Sequence, residues 1–449
     1  MDARHPLLSS PKSRDSSFAD SMDREQRAQR QREIDANAVD PPQVSTIIVS
    51  RRIEIPDMVR VDRCHRLPEY GPKLLFLSGG SALRNLSEVL KHYTHNSIHL
   101  ITPFDSGGSS AEIRRKFNML SIGDVRNRLM ALSDESALNY NPEVSALFSY
   151  RLSANDSLLA RMEFEEILNG QHERIANVSL PMRGIFLSHL RWFASRMPTD
   201  FDLCGASLGN LIITGCFLEH DRDIVIAIFL IWKLLGVSGI VRPITGANLH
   251  IRAHYEDGSV EIGQHKLGKK NHSGVLRKIT NIDLVESLDD SSTVECETCH
   301  IDGVCSELLA TADIICFPMG SFFGSVMVNL LPKGVGRAIV QRHCPKVYIP
   351  NTRSDPEMHG YTLVECIHWI IQMTRRDTGE ETRANEILTI VLVDTMNCDY
   401  CVEIDKSTIE HNMGISVLDV PLVQPHHNGE LAKRLDPTKV AEVLLTLGS

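Results

Sequence analysis

Glycine and serine cluster directly after three apolar runs of the sequence. Ser78-Gly79-Gly80-Ser81 ends the run KLLFLS, Asp105-Ser106-Gly107-Gly108-Ser109-Ser110 follows IHLITPF, and Gly320-Ser321 follows ADIICFPM. Between a buried strand and a helix, free backbone N–H groups and the positive helix end favour an anion, and glycine lets a phosphate approach closely. We predict phosphate contacts at Gly79, Gly80, Ser81, Gly107, Gly108, Ser109, Ser110, Gly320 and Ser321.

These segments also have a plainer interpretation. Paired glycines can simply make a tight turn, and an Asp or Ser before AEIRRKF is an ordinary way to start a helix. The first segment matches neither G-x-G-x-x-G nor a P-loop, which disfavours a nicotinamide-dependent dehydrogenase. The second segment has paired glycines and paired serines, more than a helix cap needs, and this favours binding.

Asp105 is the candidate catalytic and metal-binding residue. It follows the second apolar run, and open α/β sheets place their ligands at the carboxyl ends of their strands. A carboxylate there could accept ribose hydroxyls, hold a divalent cation such as Mg²⁺, or take a proton from an attacking hydroxyl.

Further polar residues begin predicted helices or follow a strand. In GDVRNRL, Arg126 could pair with a phosphate and Asn127 could recognise an amide, although locally a solvated helix start is the simpler interpretation. Asn210 in GASLGNL lies near an apolar face and needs a partner, which is either a ligand or nearby backbone. The complete set of these secondary ligand candidates is Asp124, Arg126, Asn127, Ser207, Asn210 and Asn351.

Two cysteine pairs have the two-residue gap that lets two thiolates hold one zinc ion. They are Cys296 with Cys299 and Cys398 with Cys401. If the pairs converge, they form a structural zinc site with four thiolate ligands. Because the pairs are far apart in the sequence, ordinary reduced thiols are the simpler interpretation.

The elements that must position these residues follow a strand–helix alternation. KLLFLS, ALRNLSEVLKHY and IHLITPF predict a βαβ unit, and strands are also expected at 312–319, 346–351 and 388–396, with helices near 321–331 and 361–375. This pattern predicts a doubly wound, Rossmann-like, mostly parallel sheet. Consecutive helical patterns predict a helical insertion at about 150–240, and Asp257-Gly258 predicts a small β hairpin after it.

Composition sets the domain organisation and the class of partner. Residues 1–45 are polar and lack apolar periodicity, so we predict a disordered tail before one α/β domain at 46–449. A net charge of −10 disfavours a nucleic-acid surface. The most apolar stretch is too short to cross a membrane, and no signal peptide is evident, so a cytoplasmic protein is expected.

The ordered series SGGSAL, DSGGSS, GDVRNRL, GASLGNL, PMGSFFGSVMVNLL and KVYIPNT resembles the motifs of the CofD/YvcK superfamily over roughly residues 73–375. The resemblance implies a Rossmann-like core with a helical insertion. In the transferase branch, a guanosine-diphosphate-activated phospholactate or phosphoenolpyruvate group passes, with magnesium, to a hydroxyl. In the YvcK branch, a nucleotide-diphosphate sugar is bound and the role is regulatory.

Carried onto this chain, the resemblance makes Gly79, Gly80 and Ser81 the first phosphate loop and Asp105 the metal- or acceptor-contacting acid. The expected partner is a nucleoside diphosphate-linked small molecule, and we expect a homodimer. The family's usual Asp-Asp pair is reduced here to Asp105 followed by Ser106. Since Mg²⁺ is often held by one or two carboxylates, the missing acid weakens the predicted metal site.

Overall fold

The structure is a computed structural model that describes residues 52–134, 141–271, 273–288, 298–423 and 431–448. The predicted tail at 1–45 lies outside the described residues. From Glu54 onward, the chain forms one unit.

Seven parallel strands form the main sheet, and their order along it is β10-β9-β8-β7-β1-β2-β3. The strands are β1 (Leu74–Ser78), β2 (Ile98–Ile101), β3 (Ile240–Pro243), β7 (Ile314–Phe317), β8 (Lys346–Tyr348), β9 (Ile390–Val393) and β10 (Ser416–Asp419). Every pairing in this sheet is parallel. The doubly wound parallel sheet predicted from the sequence is confirmed, whereas the short strands β3 and β10 were not foreseen.

The strand order reverses between β1 and β7. From β1 the chain builds outward through β2 to β3, and after a long excursion it returns to the other side of β1 and builds from β7 to β10. In open α/β sheets, such a switch point leaves a crevice at the carboxyl ends of the two strands. The segments after β1 and β7, which contain Gly79-Gly80 and Gly320-Ser321, therefore meet there.

Helices cover the sheet and fill the connection between β2 and β3. The described helices that precede β3 are α1 (Met58–Arg66), α2 (Arg84–Leu90), α3 (Gly108–Phe117), α4 (Gly123–Ala131), α5 (Pro142–Ser149), α6 (Ser157–Leu168), α7 (Glu173–Ala176), α8 (Met182–Arg196), α9 (Leu208–Glu219) and α10 (Ile224–Leu234). The later helices are α11 (Gly303–Thr311), α12 (Val335–Gln341), α13 (Leu363–Thr378), α14 (Ala384–Ile387) and α15 (Pro437–Leu447). The predicted helical insertion is confirmed, with α9 buried at its centre.

A second sheet of three antiparallel strands follows β3, in the order β5-β4-β6. Its strands are β4 (His250–Tyr255), β5 (Val260–Ile262) and β6 (Ile279–Val285). The predicted hairpin around Asp257-Gly258 is β4 and β5, and Gly258 has the positive φ of 78° that the turn requires. The third strand was not foreseen.

The segment after β7 differs from its prediction. Instead of an α-helix near 321–331, the chain forms a π-helical turn at Phe322–Val326 and a 3₁₀ turn at Met327–Leu330. The carboxylates of Asp355 and Glu357 accept hydrogen bonds from the first N–H groups of the π-helical turn. These partners lie some thirty residues further along the chain, so local helical spacing could not reveal them.

Among the described helices, none is long and apolar enough to cross a membrane. The most apolar stretch of the sequence forms helix α10, which has only 11 residues.

Gly215 allows α8 and α9 to pack closely. A Cβ atom at this position would lie 1.8 Å from the carbonyl oxygen of His189, whereas a Cβ atom at Gly184 in α8 would meet no atom within 4 Å. We expect Gly215→Ala to lower the free energy of unfolding by about 1–3 kcal/mol because the helices must separate. Gly184→Ala should leave it unchanged or raise it by up to about 1 kcal/mol. Urea denaturation followed by circular dichroism measures both, and equal stabilities would contradict the packing.

Candidate functional site

Arg128 of α4 holds the turn after β1 in place. This side chain is fully buried, and its Nη2 atom donates to the carbonyl oxygens of Gly79 at 2.9 Å and Gly80 at 3.1 Å. Nη1 donates to the hydroxyl of Ser87 in α2. Burial lowers the pKa of Arg128 to about 10, which still leaves it charged at neutral pH. The guanidinium therefore turns two acceptor oxygens of the glycine turn away from the crevice.

Asp124, at the start of α4, lies against the same turn. It accepts a hydrogen bond from the backbone N–H of Gly80, and a Cβ atom on Gly80 would lie only 2.0 Å from its Oδ1 atom. Burial, together with the negative charge of Asp105, raises the pKa of Asp124 to about 6. Glycine is thus required at position 80 because the carboxylate approaches the backbone directly.

The segment after β7 forms the opposite wall and is held by polar side chains of the chain itself. Asn351 accepts from the N–H of Gly320 at 2.9 Å and donates to its carbonyl oxygen at 2.7 Å. Asp355 accepts from Phe322 N–H, and Glu357 accepts from the next two N–H groups. The N–H of Gly320 and the amide of Asn351, both predicted ligand contacts, therefore bind each other within the chain, while Ser321 lies on the cavity wall.

A cavity of about 160 Å³ lies between these two walls. It contains seven of the predicted site residues, namely Gly79, Gly80, Ser81, Asp105, Asp124, Gly320 and Ser321. Ser78 also lines it and is 2% exposed, and its hydroxyl has no hydrogen-bond partner among the residues that the structure describes. Because a buried polar atom normally finds a partner, this hydroxyl indicates a place for a ligand atom or water.

Asp105 reaches the cavity from the segment after β2, which Arg114 holds in place. Arg114 donates to the carbonyl oxygens of Phe104 at 3.2 Å and Asp105 at 2.9 Å. The Asp105 carboxylate accepts from the N–H of Gly107 at 2.9 Å, and burial nevertheless raises its pKa. Ser106 points elsewhere, with its hydroxyl 2.8 Å from Nδ1 of His265.

Two carboxylates therefore share one cavity, although the sequence contains no Asp-Asp pair after β2. Asp124 is contributed by α4, and the charge of Asp105 helps to raise its pKa. Asp124, which the sequence suggested only as a ligand contact at a helix start, therefore lies in the same cavity as Asp105.

Three helix starts near the cavity lack the usual side-chain cap. The residues that precede α3, α4 and α9 are Gly107, Ile122 and Ser207, and none of them accepts a hydrogen bond from the helix that it begins. Asp156 and Asp223 do cap α6 and α10 in this way. Uncapped helix starts leave backbone N–H groups and a positive dipole end available to an anion.

Apart from Asp124, the predicted residues of α3, α4 and α9 are not among the described residues that line the cavity, and several of them contact one another. Asn210 donates weakly to Ser109 at 3.5 Å, and its buried Oδ1 atom has no hydrogen-bond partner in the described part of the chain. A Cβ atom at Gly123 would lie 2.5 Å from the hydroxyl of Ser110. Arg126 donates to Ser207 and, at 2.6 Å, to Asn127, so these three side chains bind one another. Gly108 begins α3 with a φ of 53°.

A larger cavity of about 430 Å³ adjoins the first and shares Ser81, Ala82 and Met319 with it. Arg353 and Arg434 line it, together with the amides of Asn85 and Asn351. Among the described residues that line it, none is acidic. The two cavities together form a site with a carboxylate-lined part and an arginine-lined part.

The cysteines do not form a metal site among the described residues. Cys299 is buried beside Thr245, Cys398 packs with Val423 and Ala432, and Cys401 is exposed. Cys296 lies outside the described residues. Within the described ranges, no group of three or more His, Cys, Asp or Glu side chains is arranged to hold a metal ion.

The sequence did not single out several residues that shape the site. Arg128 and Arg114 lie within predicted helices, where an arginine usually indicates a solvated face. Gln264 lines the cavity from the 3₁₀ turn Gln264–Lys266 after β5, and Ser325 lines it from the π-helical turn. The available signals were for Arg128, which is part of the GDVRNRL motif, and for Ser325, which is part of PMGSFFGSVMVNLL.

The sheet order and the cavity at its reversal define the chain as a Rossmann-like α/β protein. The chain belongs to the 2-phospho-L-lactate transferase CofD family, whose model matches residues 74–423. The gluconeogenesis factor of Bacillus subtilis is 26% identical over 297 residues, covering 66% of this chain and 73% of that protein.

A Thermotoga maritima relative is 26% identical and covers 83% of this chain and 98% of its own length. A Nostoc relative is 27% identical over 70% of this chain, and the match spans 55% of that longer protein. A crystal structure of a UPF0052 family member from Bacillus halodurans superposes with a TM-score of 0.57 and 23% identity, covering 83% of this chain and 99% of the other. This likeness supports the fold.

Removing the buried guanidinium should destabilise the protein. We expect Arg128→Met to lower the free energy of unfolding by about 3–5 kcal/mol because Asp124 and two carbonyl oxygens lose their buried partner. Arg66, whose ion pair with Asp62 is largely exposed, provides the control. Arg66→Met should change stability by less than about 1 kcal/mol. Thermal and urea unfolding measure both variants, and equal effects would contradict the assigned role of Arg128.

Proposed function

We propose that the protein binds a nucleoside diphosphate-linked small molecule and transfers its phosphate-bearing group to an acceptor hydroxyl. The observation that carries this proposal is the cavity at the sheet's switch point, in which Gly79–Ser81 face two carboxylates. The transfer reaction corresponds to the activity in the family's name.

The electrostatics of the cavity favour a phosphate bound together with a cation. Arg128 removes the Gly79 and Gly80 carbonyl oxygens from the cavity wall, and the unpartnered Ser78 hydroxyl can donate to an anionic oxygen. The Asp105 carboxylate would repel a phosphate unless a cation lies beside it. Mg²⁺ is commonly held by one or two carboxylates and substrate phosphates, so Asp105 and the phosphates would offer ligands that this ion accepts.

The size of the two cavities suggests how the ligand is divided between them. The carboxylate-lined cavity, at about 160 Å³, accommodates the reacting phosphates but not a whole nucleotide conjugate. The adjoining cavity offers about 430 Å³, two arginines and the amide of Asn85 for the rest of the ligand. Arginine forks pair with phosphate or carboxylate, and amides recognise base edges. Ser81 lies in both cavities and would contact the ligand where it passes between them.

In the proposed reaction, the acceptor oxygen forms a bond to the phosphorus of the transferred group. The P–O bond to the nucleoside monophosphate breaks, and the hydroxyl proton passes to a carboxylate. Asp124, with a pKa of about 6, is poised to accept this proton near neutral pH. Bound Mg²⁺ would neutralise charge on the phosphates, and Asp105 would orient it.

A second candidate function is binding without turnover. The Bacillus subtilis relative is named a gluconeogenesis factor, a name that denotes a role rather than a reaction. Under this alternative, the chain holds a nucleotide-linked sugar in the same two cavities and acts on a partner.

Ligand binding is tested by Gly80→Ala. A methyl group at Gly80 displaces Asp124, so we expect affinity for guanosine or uridine diphosphate with Mg²⁺ to fall more than about tenfold. Gly303→Ala is the control, because a Cβ atom there meets nothing within 4 Å. Isothermal titration calorimetry gives both affinities, and native mass spectrometry of the purified protein identifies any retained nucleotide. Unchanged affinity in Gly80→Ala would place the ligand elsewhere.

Turnover is tested with the variants Asp124→Asn and Asp105→Asn. The substrate is the nucleotide conjugate that mass spectrometry identifies, and phosphorus NMR follows its conversion to product. If Asp124 is the base, it must be ionised, so the rate should rise with pH through about 6 and level off above it. Asp124→Asn should lower the rate at least about a hundredfold and remove this pH dependence. Asp105→Asn should mainly raise the Mg²⁺ concentration required. Tight binding without any product in the wild type would favour the second candidate function.

A further inference from the structure

A basic segment follows β5 beside the carboxylate-lined cavity. Residues 262–282 include no acidic residue, although the whole protein has a net charge of −10. The cations of this segment are Lys266, Lys269, Lys270, Arg277 and Lys278. Residues 264–270, which contain the first three of them, are here called the lysine loop.

The lysines of the lysine loop are not neutralised by neighbouring acids. Arg277 pairs with Glu261 at 2.6 Å, and Lys278 pairs with Glu365 at 2.9 Å. The three lysines of the loop, in contrast, are exposed and form no ion pair with another described residue. They therefore present three positive charges to the solvent.

The lysine loop is attached to the part of the site that contains Asp105. Gln264 lines the carboxylate-lined cavity, and Nδ1 of His265 lies 2.8 Å from the hydroxyl of Ser106, the residue after Asp105. Gln264 and Asp105 line this cavity but not the larger, arginine-lined one. The lysines thus lie within a few residues of the position proposed for the reacting phosphates.

Close packing holds the backbone of the lysine loop in place. Leu267 is buried, and a Cβ atom at Gly268 would lie 2.9 Å from the backbone nitrogen of Glu357. Gly268 also has a positive φ of 66°, which glycine adopts readily. The lysine side chains can move, but the loop that carries them stays beside the cavity.

The charges of the lysine loop reach the site through their electric field. Burial lowers the pKa of His265, the charges of Lys266 and Lys269 lower it further, and the charge of Asp105 opposes them. None of the three lysines is among the described residues that line either cavity. They are therefore placed to act on a ligand that approaches the site rather than on one that is seated in it.

We propose that the lysine loop is the surface at which the anionic ligand first associates with the protein, before its phosphates enter the cavity. This rests on the proposed function only in that the ligand is a nucleoside diphosphate conjugate, and it applies to both candidate functions. Clustered charges of one sign beside a site raise the rate of association with an oppositely charged ligand. The Asp105 carboxylate alone would repel an approaching phosphate, and the three lysines offset this repulsion.

The test compares two charge reversals of equal size. Lys269→Glu alters the lysine loop, and Lys73→Glu is the matched control, because Lys73 is also exposed but precedes β1, at the opposite end of the strand from the cavity. The five residues of β1 separate Lys73 from the glycine turn by about 16 Å. This distance exceeds the screening length of about 10 Å at 0.1 M salt.

Stopped-flow fluorescence measures the binding of guanosine and uridine diphosphate that carry a methylanthraniloyl group on the ribose. We expect Lys269→Glu to lower the association rate constant at least about threefold at 0.1 M salt. At 1 M salt, where the screening length is about 3 Å, the effect should fall below about 1.5-fold. Lys73→Glu should change this rate constant by less than about 1.5-fold at both salt concentrations. Circular dichroism confirms that each variant is folded.

The dissociation rate constant separates attraction of the approaching ligand from contact with the seated ligand. Lys269→Glu should leave it unchanged, because Lys269 is not among the described residues that line the cavities. Arg434 lines the larger cavity, so Arg434→Gln should raise the dissociation rate constant at least about fivefold.

The possible failures can be told apart. Equal association rate constants in Lys269→Glu and Lys73→Glu, or a loss in Lys269→Glu that 1 M salt does not reduce, would overturn the role of the lysine loop and leave nucleotide binding intact. Faster dissociation of Lys269→Glu without slower association would also overturn this role, because the lysine would then contact the seated ligand. Failure of the wild type to bind either nucleotide would overturn both the lysine loop's role and the proposed function.

Discussion

The buried guanidinium of Arg128 is the interaction on which the site depends. It donates hydrogen bonds to the carbonyl oxygens of Gly79 and Gly80 and to the hydroxyl of Ser87 on α2. Its positive charge also offsets the negative charge of Asp124. One side chain thus ties the turn after β1 to both helices that begin beside it. A buried charge costs free energy unless it is paired, so the loop, α2 and α4 must keep their relative positions for the fold to tolerate Arg128. The rigidity of the cavity wall follows from this requirement.

The second wall is built by the opposite arrangement, in which buried carboxylates hold backbone N–H groups. Asp355 and Glu357 bind the start of the π-helical turn after β7, and burial beside Asp355 raises the pKa of Glu357 to about 8. Asn351 completes this wall by bonding both polar groups of Gly320. Residues that looked like ligand contacts in the sequence therefore shape the cavity from behind. The polar side chains among the described residues that line the cavity are Ser78, Ser81, Gln264, Ser321, Ser325 and the two carboxylates.

The comparison between sequence and structure is most instructive for the acidic residues. The CofD/YvcK resemblance correctly indicated the family, and the strand–helix alternation correctly indicated the sheet, because both depend on local patterns of apolar residues and glycine. The same resemblance implied a weakened acid pair, because Ser106 stands where the family has a second Asp. In the structure, Asp124 from α4 lies in the cavity with Asp105. Its position in GDVRNRL was visible, but its distance from Asp105 in space was not.

By itself, the sequence determined the parallel sheet, the helical insertion, the hairpin at Asp257-Gly258 and the glycine turns after β1 and β7. Each of these is encoded by neighbouring residues, through hydrophobic periodicity and the conformational freedom of glycine. Only the tertiary structure decided which side chains face the cavity and which are bound internally. Arg128, Asn351 and Glu357 bind backbone groups that lie 31 to 49 residues away in the sequence, and hydrogen bonds of that range leave no local pattern. The placement of Asp105 and Asp124 in one cavity is likewise a result of tertiary structure, because separate strands and helices meet at the switch point.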